Sequence, residues 1–167
     1  MNTITFNYQD NPSYDIYDST IHDLVQKARD VAENAYAPYS KFYVGAAIEM
    51  TDGTVVVGSN QENIAYPSGL CAERTELYHA GAVHPYKIIK RIVIVANGDL
   101  IGVNDIIAPC GSCRQVMVES ATRQATAYEV YLVSMNNRTI FIPDVYTLLP
   151  FYFGKKWFVS FQDLSER

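Results

Sequence analysis

Apolar residues recur near the start of the chain at the spacing of a helix. Between residues 21 and 35 they fall every three or four positions, with charged and polar residues between them. This pattern predicts an amphipathic helix, because the repeat matches one face of a structure with about 3.6 residues per turn. Thr20 is the predicted N-cap, with Asp23 at the third helical position, and the helix is expected to end before Pro38.

The rest of the chain alternates strand-like and helix-like segments. Residues 42–50 and 54–60 have strand composition, and Asp52-Gly53 between them predicts a tight antiparallel hairpin. The β-branched run at residues 88–96 is typical of a central strand buried on both faces. The other predicted elements are helices at residues 71–83 and 110–124, strands at 126–135 and 139–142, and a short helix at 144–149 capped by Asp144. This alternation predicts an α/β fold: a single domain with a mixed β-sheet of about five strands and helices on both faces.

The hydrophobic pattern predicts less about the two ends of the chain than about its middle. In residues 1–19, Ile4, Phe6 and Tyr8 alternate with polar residues as a short edge strand would. We therefore expect residues 1–19 to form an N-terminal extension and residues 20–167 to form the domain. The aromatic tail after residue 153, with Trp157, Phe158 and Phe161, is expected to cover either its own domain or a neighbouring subunit, and the pattern does not decide between them.

Composition and charge limit the classes of protein to which the chain could belong. A chain of 167 residues with 49% hydrophobic content suits one well-packed domain. The formal net charge of -5, from 13 Lys+Arg and 18 Asp+Glu, lacks the cation excess that binding a nucleic-acid backbone requires. Residues 1–20 have no basic segment followed by an apolar one, and no run approaches a membrane span of about 20 apolar residues. We expect a cytoplasmic protein with no membrane and no nucleic-acid partner.

All three cysteines lie in two short motifs, Cys71-x-Glu73 and Pro109-Cys110-x-x-Cys113. An odd number of clustered cysteines favours a metal site over a disulfide framework. Cys110 and Cys113 are three residues apart, so on the first turn of a helix their sulfurs point the same way. Three protein ligands with a fourth position left for water are typical of catalytic zinc, whereas structural zinc takes four protein ligands. The motifs therefore predict a catalytic zinc ion and, in Glu73, a free carboxyl group beside it.

With these motifs the sequence resembles the cytidine deaminases of the small, homotetrameric, three-cysteine zinc type. The resemblance covers roughly residues 28–153. Besides the cysteine motifs it rests on Ala37-Pro38-Tyr39-Ser40-Lys41-Phe42-x-Val44-Gly45-Ala46-Ala47, Gly58-Ser59-Asn60-Gln61-Glu62-Asn63 and Leu148-Leu149-Pro150-x-x-Phe153. Several spaced motifs in one order are far more specific than any one alone. The resemblance implies zinc-dependent hydrolytic deamination of cytidine and deoxycytidine to uridine and deoxyuridine, a reaction of pyrimidine salvage.

The resemblance also assigns roles around the metal. It implies that Cys71, Cys110 and Cys113 bind Zn²⁺ and that Arg74 donates hydrogen bonds to the thiolates. Three thiolates leave the zinc site with a formal charge of about -1, which a neighbouring cation would offset. Glu73 lies two residues from Cys71, a spacing that turns it to another side of the helix. It is the implied proton carrier: water attacks C4 of the cytosine, and Glu73 takes its proton, gives it to N3 and helps protonate the departing amine.

Substrate-binding residues are implied by the same resemblance. Phe42 corresponds to an aromatic residue beside the pyrimidine, and Asn60 and Glu62 correspond to the pair that holds the ribose hydroxyls. Ala72, between a ligand and the proton carrier, is a further implied substrate contact. Without the resemblance, Phe42 would be interpreted as a core residue and the Asn60 loop as an ordinary polar turn.

Subunit contacts follow from the resemblance as well. Phe153 corresponds to an aromatic residue that reaches into a neighbouring subunit's active site. Ala65 and Tyr66 fall where chains of the family cross between subunits. Together these positions imply a homotetramer.

Other functions fit the sequence less well. A zinc-stabilised interaction domain would need a fourth protein ligand, and a thiol redox protein built on Cys110 and Cys113 would leave Cys71 and Glu73 unexplained. A nearer alternative is deamination of a related aminopyrimidine nucleoside such as blasticidin S. Substrate profiling separates that alternative from cytidine deamination.

Overall fold

The computed structural model describes residues 1–99 and 101–154, and its centre is one six-stranded sheet. In chain order the strands are β1 (Gln9–Asn11), β2 (Phe42–Met50), β3 (Val55–Ser59), β4 (Ile89–Gly98), β5 (Glu129–Val133) and β6 (Thr139–Ile142). Their order across the sheet is β1-β6-β5-β4-β2-β3. Strands β4 and β5 are parallel and the other neighbours are antiparallel. The predicted mixed α/β sheet is confirmed, with six strands where about five were expected.

Three α-helices cover the two faces of the sheet, as predicted. They are α1 (Ser19–Ala32), α2 (Ala72–Val83) and α3 (Gly111–Gln124). Helix α1 packs on one face with side chains from β2, β4 and β5, whereas α2 and α3 pack on the opposite face. Short 3-10 turns occupy Tyr14–Ile16, Tyr66–Ser68 and Val145–Leu148. The last is capped as predicted, because Asp144 accepts a hydrogen bond from the Tyr146 amide at 2.9 Å.

Helix α1 begins two residues earlier than its pattern predicted. Asp18, not Thr20, is the N-cap, and its Oδ1 accepts hydrogen bonds from the amides of Thr20 at 3.0 Å and Ile21 at 3.2 Å. A carboxylate at this position satisfies free amides and favours the positive end of the helix. Asp18 also lies 3.8 Å from a guanidinium nitrogen of Arg91 on β4. The ion pair ties the start of the helix to the sheet.

The N-terminal edge strand exists, but at a different place from the predicted one. It is β1, Gln9–Asn11, and it pairs with β6, while Ile4, Phe6 and Tyr8 lie outside any strand and are half exposed. Asp10 accepts two hydrogen bonds from the Arg138 guanidinium, at 2.9 and 2.6 Å. Strand β1 thus belongs to the same sheet as the rest of the chain, and the boundary expected at residue 19 stays a prediction.

Strand β2 packs very closely against helix α1. A Cβ atom added at Gly45 would overlap the carbonyl oxygen of Ala28, so only glycine fits at this contact. Around it, the α1 side of the core is formed by Ile21, Leu24, Val25, Ala28, Ala32, Ala47, Val93, Val95, Tyr131 and Val133.

Strand β5 is shorter than the predicted segment at residues 126–135, and the aromatic tail at 157–161 lies outside the described residues. No helix among the described residues has both the length and the apolar character to cross a membrane.

The order of the elements brings two helix starts to one end of the sheet. Strand β4 leads through a loop into α3, and α3 leads into β5, which is parallel to β4. In such a unit the helix begins beyond the carboxyl end of the first strand. Helix α2 runs back toward the start of β4, so its first residue lies at that same end. Ligand sites of α/β folds form at this edge.

Candidate metal centre and active site

The three cysteines meet at this edge. The sulfur atoms of Cys71, Cys110 and Cys113 all lie within 4.8 Å of one another, and those of Cys110 and Cys113 are 3.5 Å apart. Cys71 and Cys110 are the N-caps of α2 and α3, and Cys113 is in the first turn of α3. Cys110 is exposed, Cys71 is half-buried and Cys113 is fully buried. The predicted grouping of the three cysteines is confirmed.

Three sulfur atoms so close together are a donor set that fits a bound cation. The hydrogen bond from Cys113, and after it the Arg74 guanidinium, lower the pKa of Cys71 to about 5. The same contact with Cys71, together with burial, raises the pKa of Cys113. One thiolate is therefore stabilised by the other thiols, and further ionisation needs a positive charge. A divalent cation held by sulfur ligands meets that need, so the donor set fits zinc.

Zinc at this position would keep a coordination site for water. In residues 1–99 and 101–154, the three cysteines are the sole cluster of at least three His, Cys, Asp or Glu side chains arranged to hold a metal. The structure therefore supplies three sulfur ligands and no fourth from the part of the chain that it describes. This count matches a catalytic zinc site and differs from a structural one.

Arg74 lies close enough to the sulfur cluster to donate a hydrogen bond to it. Its Nη2 donates toward the Cys71 sulfur at 3.8 Å, from one turn further along α2. Its Nε is buried and has no partner among the described residues. Because the guanidinium carries its charge at any working pH, it offsets part of the negative charge of the sulfur cluster.

Glu73 is an almost buried carboxyl group in the same cavity. It is 5% exposed, and burial is the main cause that raises its pKa, with the negative charge of Cys71 adding to it. A carboxyl group with a raised pKa exchanges its proton closer to neutral pH. Glu73 is not part of the cysteine cluster, so its carboxyl group is not committed to a metal there.

Cys71, Cys110 and Glu73 line a cavity of about 610 Å³, whereas the fully buried Cys113 does not reach its surface. Its lining includes six of the predicted site residues outside the metal cluster: Phe42, Asn60, Glu62, Tyr66, Glu73 and Arg74. Phe42 is the first residue of β2, and its ring is partly buried against the core. The cavity therefore presents an aromatic face, two polar side chains and a buried carboxyl group next to the sulfur cluster.

Glu62 is anchored by the segment that precedes β2. Its Oε1 accepts a hydrogen bond from the Ser40 hydroxyl, and its Oε2 accepts from the amides of Tyr39 at 2.9 Å and Ser40 at 3.3 Å. These hydrogen bonds, the Ser40 hydroxyl first, lower the pKa of Glu62. A carboxylate has about four lone-pair positions, so Glu62 keeps acceptor capacity for a ligand.

Asn60 is almost fully buried and bridges the start of β2. Its Oδ1 accepts from the Val44 amide and its Nδ2 donates to the Phe42 carbonyl, both at 2.8 Å. One of its two amide hydrogens has no acceptor among the described residues. The side chain thus holds the strand that carries Phe42 and keeps one donor for the cavity.

The remaining predicted site residues lie outside this cavity. Ala72 is fully buried and does not line the cavity, so its implied substrate contact stays a prediction. Ala65 is exposed at the start of the Tyr66–Ser68 turn. Phe153 is 70% exposed, with its backbone held by Gln115 of α3. Ala65, Tyr66 and Phe153 all present surface that a second chain could contact.

The sequence analysis overlooked three residues around the site. Ser40 and Gln115 make the contacts that fix Glu62 and Phe153, and both depend on pairings between distant parts of the chain. Glu76 is a completely buried acid on α2. Its signal was present in the sequence, since it lies three residues after Glu73 on the face that also buries Leu77 and Ala80.

Comparison with known proteins gives a consistent result. Residues 18–129 match the family described as the cytidine and deoxycytidylate deaminase zinc-binding region. A cytidine deaminase of Sporosarcina psychrophila is 36% identical over 136 residues, which cover 81% of this chain and 93% of that protein. The crystal structure of a cytidine deaminase from Burkholderia pseudomallei superposes with a TM-score of 0.68 at 40% identity, covering 79% of this chain and 98% of that one.

A second solved structure extends the comparison. The cytidine deaminase of Mycobacterium tuberculosis gives a TM-score of 0.62 at 31% identity, covering 82% of this chain and 99% of that one. Fold, sulfur cluster and sequence therefore agree, and the chain belongs to the zinc-binding cytidine and deoxycytidylate deaminase family.

Proposed function

We propose that the protein hydrolyses cytidine and deoxycytidine to uridine and deoxyuridine, with release of ammonia, in pyrimidine salvage. The observation that carries this proposal is the three-sulfur cluster with Glu73 beside it in one cavity. Water supplies the oxygen that replaces the amine at C4, so each turnover consumes one water and releases one ammonia. Membership of the family and the names of its relatives support this reaction.

The residues of the chain divide the chemistry between them. Cys71, Cys110 and Cys113 would hold zinc, which when bound makes water a stronger nucleophile near neutral pH. Glu73 accepts the proton of the attacking water and delivers it to N3 of the pyrimidine. It then assists protonation of the amine that leaves C4. Its raised pKa suits a group that must both take up and give back a proton.

Arg74 complements the sulfur cluster in this proposal. Its guanidinium lies beside Cys71 and reduces the electron density that three thiolates place on the metal. A less negative zinc site binds and activates water more strongly. Arg74 therefore supports the metal ligands, while Glu73 moves the protons.

The cavity favours a nucleoside over a nucleotide. Phe42 offers a face for the pyrimidine, and Glu62 with Asn60 offers an acceptor and a donor for sugar hydroxyls. Among the described residues that line the cavity, Arg74 is the sole cation, and it is directed to Cys71. A 5′-phosphate would thus lack a cationic partner, although the family's description also names deoxycytidylate.

We also propose that the active form is a homotetramer in which Phe153, and with it Ala65 and Tyr66, contributes to a neighbouring subunit's site. All three residues are exposed and Tyr66 lines the cavity, which supports this arrangement. Zinc binding needs three reduced cysteines, which favours a reducing compartment such as the cytoplasm.

Substrate profiling of the zinc-loaded protein tests the proposal. Cytidine and deoxycytidine should be converted with release of ammonia, and deoxycytidylate should be a much poorer substrate. Preference for blasticidin S over cytidine would assign the protein to the alternative nucleoside. Full activity in a zinc-free preparation, or four sulfur ligands in a metal spectrum, would contradict the proposed metal site.

A further inference from the structure

Glu76 is an acidic side chain in the interior of the protein. It lies on helix α2, is 0% exposed, and belongs to the face of the helix that packs on the sheet. Neither of its carboxyl oxygens has a hydrogen-bond partner among the described residues. The proposed reaction uses Glu73, one turn earlier, and leaves Glu76 without a role.

Helix α2 is pressed against the sheet at this residue. A Cβ atom added at Gly58 on β3 would lie 2.8 Å from both the backbone nitrogen and the Cβ of Glu76. Real side chains do not approach so closely, so the contact needs the absence of a side chain at Gly58. Helix α2 therefore packs directly on the sheet at Glu76, and the carboxyl group has no exposed surface.

The surroundings of Glu76 on balance disfavour its ionised form. On its own helix the charged neighbour is Glu73, and from the segment before β5 the facing group is the Tyr128 phenol. Strand β3 contributes Gly58, and β2 contributes the backbone amide of Ile48, which lowers the pKa of Glu76 by less than burial and Glu73 raise it. Within the described part of the chain, no Lys or Arg is paired with Glu76.

Burial, and after it the charge of Glu73, raises the pKa of Glu76 well above the ordinary value for a glutamate. An isolated carboxylate in the interior is far more costly than the neutral acid, so the proton is retained as long as the site stays closed. The geometry and the direction of this pKa shift therefore agree.

We propose that Glu76 is a positioning residue that works as a neutral carboxylic acid, so that α2 stays docked on the sheet while Glu76 keeps its proton and is released when the proton is lost at alkaline pH. Helix α2 begins at Cys71 and carries Glu73, so its release would disturb a metal ligand and the proton carrier together. This inference rests on the proposed roles of Cys71 and Glu73.

The proposal has a thermodynamic consequence with a definite sign. In an unfolded chain a glutamate loses its proton near pH ~4.3, whereas folded Glu76 retains it to higher pH. Above that pH, raising the pH favours unfolding, because only the unfolded chain has released the proton. The unfolding equilibrium constant should rise about tenfold per pH unit from this residue alone, until Glu76 ionises in the folded protein.

The test compares wild type, Glu76→Gln and Glu76→Met from pH 5 to 9 by urea unfolding and by zinc content, at fixed chain and zinc concentrations. Both substitutions remove the titrating group, and Met keeps an unbranched, helix-favouring side chain if an amide proves too costly in the core. Glu119→Gln on α3 is the matched control, because Glu119 is exposed. The cysteines are the same in every variant, so their titration cancels in the comparison.

Relative to either Glu76 variant, the wild-type unfolding constant should rise about tenfold per pH unit above pH 5, and wild type should lose zinc at a lower alkaline pH. Glu119→Gln should follow wild type in both measurements. Parallel pH curves for wild type and both Glu76 variants would overturn the proposal, as would an equal change in Glu119→Gln. Absence of zinc or of deaminase activity at neutral pH would instead contradict the proposed function, since the unfolding comparison does not depend on turnover.

Discussion

Gln115 holds the backbone of Phe153 through both ends of its amide. Its Nε2 donates to the Phe153 carbonyl at 2.7 Å, and its Oε1 accepts from the Phe153 amide at 3.0 Å. Gln115 lies two residues after Cys113 on helix α3. Its two hydrogen bonds therefore fix the position of Phe153 relative to that helix. The Phe153 ring is 70% exposed and does not line the cavity of its own chain. Its position suits a contact with another subunit.

Phe153→Ala is therefore expected to lower kcat/KM for cytidine by weakening a site on the neighbouring subunit. Mixed oligomers test the direction of the contact. When Phe153→Ala chains are combined with Glu73→Gln chains, a site with an intact Glu73 can receive Phe153 from its neighbour, so activity should reappear above that of either variant. Activity of the mixture is measured against each parent at equal total chain concentration.

Phe151→Ala is the control for this experiment, because Phe151 is also exposed and lies two residues away. It should leave kcat/KM nearly unchanged. Light scattering of wild type should show a tetramer at the assay concentration. A fully active monomer, or a mixture no more active than its parents, would show that Phe153 does not act between subunits.

Glu73→Gln should separate metal binding from proton transfer. The substitution keeps the size of the side chain and removes its proton-carrying group, so zinc content should be unchanged. Turnover should fall by at least the ~10²–10⁴-fold typical of losing a general acid or base. Cys110→Ala should differ in kind, with zinc and activity lost together. Metal analysis and steady-state kinetics on the same preparations check both results, and near-normal turnover in Glu73→Gln would assign the protons to another group.

The sequence predicted most of the fold because the relevant signals are local. The hairpin of β2 and β3 follows from Asp52-Gly53 between two apolar runs, and the central position of β4 follows from its β-branched composition. Strand β1 could not be located in this way. Its place depends on pairing with β6 and on the ion pair between Asp10 and Arg138, which are 128 positions apart.

The candidate site, too, was predictable only where its signals are local in the sequence. The sulfur cluster was predictable because Cys110 and Cys113 share a helical turn and a zinc site needs a third thiolate from elsewhere. The anchoring of Glu62 by Ser40 was not, since it joins residues 22 positions apart in irregular backbone. Glu76 could have been noticed in the sequence as an acid on a predicted buried helix face, where an apolar residue is expected. Its environment follows only from the packing of α2 on β3.

Arg74→Gln should weaken zinc binding at the acid end of the pH range. The Cys113 hydrogen bond is the main cause that lowers the pKa of Cys71, and Arg74 adds to it. Without the guanidinium the pKa of Cys71 rises, so protons compete with the metal at a higher pH. As pH falls from 8 to 5, the variant should lose zinc earlier than wild type, as measured by a chromophoric zinc chelator.

Arg123→Gln serves as the control for this prediction, because Arg123 is an exposed cation on α3 at the end remote from the cysteines. It changes the net charge by the same amount and should leave the zinc-release curve where it is in wild type. Identical curves for Arg74→Gln and wild type would show that the guanidinium does not stabilise the thiolates.

The anchoring of Glu62 predicts that the sugar is required for efficient turnover. Its carboxylate is held in place by Ser40 and the Tyr39 amide, so it reaches the cavity in a fixed orientation. A site built for a hydroxyl penalises a ligand that lacks it, because the polar group is left desolvated and unmatched at about 1–3 kcal/mol. Free cytosine has the reactive C4 but no sugar, and it should be a very poor substrate beside cytidine.

Glu62→Gln should lower kcat/KM for cytidine far more than for cytosine, because the amide can no longer accept hydrogen bonds at both positions. Deoxycytidine should behave like cytidine if the contact is to the 3′-hydroxyl. The ratio of the two kcat/KM values is its own control, since a general defect in folding or zinc content would lower both alike. Equal kcat/KM of the wild-type enzyme for cytosine and cytidine would contradict this prediction. Glu62 would then stabilise the Tyr39-Ser40 segment through its hydrogen bonds and would not bind the substrate.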